Sequence, residues 1–377
     1  MDARFEEAQA LIAKGQRAEA IDRLIALVQD GEPQPVEVYR SLLVQFYRVG
    51  RHQEGAEWAD RALQAYPGDV EIMNVKGVLL RRAGRPAAAA EVFNTMLKAS
   101  PNSESILSNL GNAYNDMGDG ASAAKVFSRL IRKHPRNAEY LRLLGVALRQ
   151  QGARDQAISR FRQSVTVNPA NVDAWCDLSG ALSENGQGAE ALTAIEKAIT
   201  LNPTDLKAQE ARIKLLRLQN QLRAAEAHLM ALLPEHDDLA WVHSHLGAVV
   251  SEYDRARGLA HHRRAVELKP EDKPTLFALA EALDRARGPQ EARYLEESFT
   301  LLRNSMPPEE MTAGPLKIAN EVYARLCAFD DHAALGTLKD IGRRFIAEGK
   351  HTALLAQMPR VRTDEDRLEL LEQHRMW

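Results

Sequence analysis

Apolar residues recur along this chain at helical spacing, and the recurrence itself repeats. From Glu104 the pattern reads Leu107, Leu110, Gly111, Tyr114, then Ala123, Phe127 and Pro135. Thirty-four residues on, it reads Leu141, Leu144, Gly145, Leu148, Ala157, Phe161 and Pro169. From Val172 it reads Trp175, Leu178, Ser179, Leu182, Ala191, Ile195 and Pro203. Unit positions 4, 7, 8 and 11 fall on one stripe at about 100° per residue, which predicts an amphipathic helix. A second helix follows Gly118, Gly152 or Gly186, each placed where a left-handed residue ends a helix. The prolines stop that second helix. Positions 8 and 20 are small, so the two antiparallel helices can approach closely. Each pair has an apolar face it cannot bury alone, so the pairs must stack.

The phase runs backwards to units starting at Val70 and Val36, and to a first unit at Met1 with a polar, cap-like first helix. In the Val36 unit, Gly55 and Ala59 replace the usual Ala and Phe. Forward from Leu206 the pattern decays through three degenerate units, the last starting at Lys273. That makes about nine units. The predicted organisation is a capping unit at 1–35, a regular array at 36–205, degenerate repeats at 206–305 and a helical segment at 306–377. In that last part the period is lost, with breaks at Ser305–Glu309 and Ala313–Pro315. Helices are expected over Leu316–Phe329 and His332–Ala347, briefly near Thr352–Gln357, and from about Asp364. The last one reaches Trp377 with no Gly, Asn or Pro to end it, which points to a longer protein with a further domain.

Composition fits this picture. The chain is 45% hydrophobic but 6% aromatic, as suits Ala/Leu helices. With 49 basic and 52 acidic residues, net charge −3, nothing global argues for nucleic acid. Cys176 and Cys327 lie far apart with no metal or redox spacing, so a reducing, cytoplasmic setting is expected. The start is charged where a secretory signal is apolar, and no run reaches the ~18 apolar residues of a membrane helix.

The period and its seven positions resemble the tetratricopeptide repeat family over roughly 300 residues. The resemblance implies an all-α, right-handed superhelical α-solenoid, with first helices lining a groove that holds a peptide or protein segment. Positions 5, 9, 12 and 13 lie opposite the core stripe, and they nominate the groove. They are Arg40, Val44, Tyr47 and Arg48, then Asn74, Val78, Arg81 and Arg82. Asn112, Asn115, Arg142, Val146 and Arg149 follow in the next two units. An apolar line flanked by arginines suits a partner carrying apolar and acidic residues. The plain alternative is that these arginines are merely solvated. A chaperone-type carboxylate clamp is absent, because Val44 and Val146 stand where its asparagines would.

The tail carries a second resemblance. Cys327-Ala328-Phe329-Asp330-Asp331 is similar to the Cys-Asp-Trp-x-Asp stretch that follows the repeats in O-GlcNAc-transferase-like protein glycosyltransferases. Gln373-His374-Arg375-Met376-Trp377 looks like the His-Arg-x-Trp lead-in of bacterial members. Such enzymes carry their catalytic site downstream, so the resemblance transfers no catalytic residue. Their asparagine ladder has one counterpart here, Asn109, among Ser41, Val75, Leu143 and Asp177. No cofactor is implied. His236, His243, His245, His261 and His262 crowd one region, but their spacing puts no two on one helix face. Cys176, beside Trp175, reads as a small concave-face residue rather than a nucleophile. The expectation is a non-catalytic protein-binding scaffold that recruits substrates for a bacterial-type protein O-glycosyltransferase. The other readings are a free-standing scaffold and an adaptor for another kind of enzyme.

Overall fold

The hydrophobic period sets where the helices begin. In the computed structural model, which describes residues 3–29, 34–286, 289–350, 361 and 363–376, all regular structure is helical. The chain divides into two compact units, Met1–Ala211 and Arg212–Trp377.

The first unit is a stack of helix pairs: α1 (Ala3–Ala13) with α2 (Arg17–Gln29), then α3 (Val36–Arg48) with α4 (His52–Ala65). Next come α5 (Val70–Arg82) with α6 (Pro86–Ala99), and α7 (Glu104–Asp116) with α8 (Gly120–Lys133). The last are α9 (Ala138–Gln150) with α10 (Arg154–Val167), and α11 (Val172–Glu184) with α12 (Gly188–Leu201). First helices from α3 to α11 start at the residues the repeat assigns. Asp69, Asn137 and Asn171 cap three of them, each side chain accepting a hydrogen bond from the backbone N–H three residues on.

The turn between the helices of a pair is built on one left-handed residue. Gly118 has φ +74°; its N–H donates to Asn115 O, and the Asp119 N–H donates to Tyr114 O. Those two bonds are a Schellman cap, and Gly84 and Gly152 repeat them. The pair then closes by ring against glycine. A Cβ built on Gly77, Gly111 or Gly145 would meet the ring of Phe93, Phe127 or Phe161 at 2.4–2.6 Å. In the α3–α4 pair, Gly55 on α4 is the small residue, and a Cβ there would meet Phe46 Cβ on α3 at 2.8 Å and Leu79 on α5 at 3.1 Å.

The second unit keeps the plan with coarser parts. α13 (Leu206–Leu218) crosses from the first unit, and Asn220 takes the left-handed position, at φ +56°. α14 (Leu222–His236) leads into the pairs α15 (Ala240–Val250) with α16 (Arg255–Leu268), and α17 (Lys273–Arg285) with α18 (Glu291–Ser305). Then follow α19 (Ala313–Arg325), α20 (Phe329–Ala334), α21 (Leu338–Ala347) and α22 (Asp364–Met376).

Three expectations for this region need correcting. Ala313-Gly314-Pro315 is no break but the first turn of α19, where proline costs no internal hydrogen bond. The helix expected over Leu316–Phe329 ends at Arg325, because Cys327 turns left-handed at φ +55°. The helix expected over His332–Ala347 is two helices. Gly336, at φ +110°, breaks it, and a Thr337–Asp340 capping box starts α21. The short helix expected near Thr352–Gln357 lies outside the described residues. Among the described residues, no helix is long and apolar enough to cross a membrane.

Candidate functional site

The thirteen groove residues all sit on first helices of the first unit, but they divide into three kinds. Val44 and Tyr47 are exposed at 37% and 39%, while Val78 and Val146 are half-buried. Val78 packs at the edge of the core that runs from α1 to α7. Asn112 is half-buried as well.

Most of the arginines are held within the protein. Arg40 reaches forward to Asp69 at 2.7 Å and Glu71 at 2.9 Å. Arg81 pairs with Asp116 at 2.9 Å, and Arg149 with Glu184 at 3.4 Å. Arg142 holds both Glu139 and Asp177 at 2.7 Å. Burial works against the Arg142 charge, but those two carboxylates outweigh it and push its pKa up. Asn109 donates to Asn74 Oδ1 at 2.9 Å in the same fashion. These side chains join successive repeats. Asn115 is buried, at 8%, and its amide donates to Leu143 O. Two cations remain without such a partner among the described residues, Arg48 on α3 and Arg82 on α5, and both are exposed.

The sequence reading missed the acidic half of these pairs. The signal was there: Asp116, Asp177 and Glu184 each stand 35 residues after their arginine, one period plus one. That extra residue is the stagger between neighbouring first helices.

The histidines of the second unit come together across helices. His243 on α15 and His261 on α16 place their Nδ1 atoms 3.2 Å apart, and His243 Nε2 faces the Asp237 carbonyl at 3.1 Å. His262 lies against Gly247, where a Phe ring lies in the regular repeats, with Nδ1 unbonded. Burial, with His261 and Arg217 nearby, drives its pKa down to about 4. Burial and the Arg212 guanidinium do the same to His228, also to about 4. Among the described residues no group of three or more His, Cys, Asp or Glu is placed to hold a metal. Cys176 is half-buried; burial, then Asp205, Asp177 and Asp173, push its thiol up to about 12. It is a protonated thiol at neutral pH. Cys327 is an exposed turn residue and the neighbouring Phe329 is 62% exposed.

Comparison with known proteins agrees with this geometry. No curated protein matches the chain. Among solved structures, a tetratricopeptide repeat protein from Parabacteroides merdae is 19% identical, with a TM-score of 0.52 over 66% of this chain and 98% of that one. Yeast Tom70 is 13% identical, with a TM-score of 0.46 over 98% of each chain. MamA from Desulfovibrio magneticus is 19% identical, with a TM-score of 0.41 over 45% of this chain and 96% of that one. At 19% identity the likeness to the Parabacteroides merdae protein concerns the fold alone. Two family models, both described as tetratricopeptide repeat, match residues 5–70 and residues 80–146 and 148–212. Together they span more than half of the 377 residues, and with these helix pairs the chain belongs to the tetratricopeptide repeat family.

Proposed function

We propose that the exposed face of α3 and α5 binds a segment of a partner protein that carries apolar and acidic residues. One observation carries this reading: Val44 and Arg48 recur as Val78 and Arg82, an apolar line beside two guanidiniums that no carboxylate pairs among the described residues. Desolvated apolar anchors supply affinity, whereas rim cations set association rate and salt dependence. Reversing Arg48 and Arg82 to Glu is expected to slow association mainly at low salt. Val78→Asp is expected to weaken binding at every salt, because it sets a charge against an apolar partner face. Calorimetry at two ionic strengths, with circular dichroism as the fold control, reads both. Unchanged affinity in both variants would remove this face as the site.

The tail supports a finer reading. On the likeness of Cys327–Asp331 and Gln373–Trp377 to protein O-glycosyltransferases, we place the chain as their substrate-recruiting, non-catalytic region, acting in the cytoplasm. The purified chain is then expected to transfer no sugar and to hydrolyse no nucleotide-sugar, and turnover by it alone would sink the assignment. Immobilised in an extract of its own cells, it should retain proteins bearing sugars on Ser or Thr, identified by mass spectrometry. A captured set free of such sugars would favour a free-standing scaffold.

A further inference from the structure

The second helices present a different surface. Between α8 and α10 runs an open groove of about 690 Å³, floored by Ala124, Ile131 and the buried Leu144 beneath them. Its charged lining is Lys125, Arg132 and Arg160, with no acidic residue. From Gly120 to Arg136, every ionised Asp, Glu, Lys or Arg side chain is a cation. Among the described residues Arg160 bonds the neutral Gln163 and Arg132 makes no ion pair; Lys125 makes none either, although its charge acts on Asp119 at the N-cap of α8, outside the groove lining. The contrast with the first helices is sharp. There Arg40, Arg81, Arg142 and Arg149 are neutralised by carboxylates of the protein itself. Here like charges line an apolar trough and repel one another, an arrangement that a complementary anionic occupant relieves.

We propose that the α8–α10 groove docks an acidic amphipathic helix of a partner protein. Its apolar side chains would enter the trough at i, i+3 and i+4, and its Glu or Asp residues would meet Lys125, Arg132 and Arg160. The floor decides against other polyanions. Nucleic acid gains nothing from Ala124, Ile131 and Leu144, and no aromatic residue lines the groove to stack a base. A membrane surface needs apolar groups that protrude, whereas these lie recessed between two helices. This site is separate from the α3–α5 face, so either proposal can fail without the other.

The test uses the full chain and three fluorescent probes. One is a synthetic helical peptide of Glu and Leu with its leucines on one face. The second has the same composition with the leucines scattered around the helix, and the third is single-stranded DNA of equal charge. The amphipathic peptide should bind at least tenfold more tightly than either control. Lys125→Glu with Arg132→Glu should weaken it at least tenfold at low salt and less at high salt. Ala124→Gln, which puts an amide over the trough, should weaken it at both. Val78→Asp should leave it unchanged. Lys125→Gln with Arg132→Gln serves as a second pair, milder on the fold, and circular dichroism checks each variant. Equal binding of the two peptides, tighter binding of DNA, or loss with Val78→Asp but not with the charge variants would each overturn the proposal.

Discussion

Gly145→Leu should destabilise the first unit by about 3 kcal/mol, the upper end of what overpacking costs. The reason is local. A Cβ at Gly145 would lie 2.6 Å from Phe161 Cε1 and 2.7 Å from Cδ1, and that ring is fully buried between α9 and α10. Leucine is the better helix former by nearly 1 kcal/mol, but that gain is smaller than the cost of moving a packed ring. The neighbouring repeat supplies the control. Gly180 in α11 would offer its Cβ only to Arg149 Nη1, at 3.4 Å, the far end of a flexible side chain. Gly180→Ala should therefore be neutral or stabilise by up to about 1 kcal/mol. Urea unfolding followed by circular dichroism separates the two. A Gly145→Leu midpoint equal to that of the unmodified chain would refute the glycine–ring account of how the pairs close.

The second large effect is acid weakening of the α15–α16 pair. His262 is 3% exposed and its pKa sits at about 4, below the 6.5 of a free histidine. The unfolded chain therefore binds a proton that the folded chain refuses once pH drops below 6.5. Stability is present in full above that pH, falls between 6.5 and 4, and is lost by about 3 kcal/mol once pH is under 4. His228 adds to the loss with the same sign. His262→Phe restores the ring that Gly77, Gly111 and Gly145 receive in the regular repeats, and it removes an unbonded buried Nδ1. The variant should be more stable at pH 7 and lose less between pH 7 and 5. Amide hydrogen exchange on α15 and α16 at the two pH values measures this. Equal acid sensitivity in the variant and the unmodified chain would assign the effect to other groups.

Both effects rest on features of different legibility. The glycines and phenylalanines could be read from sequence, because a helical repeat keeps its decisive contacts within a pair or between adjacent pairs. A 34-residue period in apolar and small positions was enough to place α3, α5, α7, α9, α11 and α13 at their first residues. His262 could be placed in the Phe position only after the structure showed which residue Gly247 receives, since the unit slips by one there.

What the sequence alone determined, then, is the repeated pair: its period, its turns and the side it buries. Those follow from helical periodicity and from the backbone freedom of residues such as Gly118, which are properties of the local chain. The tertiary structure decided how the charge is used. Arg81 reaches Asp116 and Arg142 reaches Asp177 because neighbouring first helices are staggered, and a wheel drawn for one helix carries no information about that offset. Packing also turned Asn115 inward to Leu143 and split the helix expected after His332 at Gly336. The α8–α10 trough likewise exists only between two helices that each look, alone, like a solvated basic face.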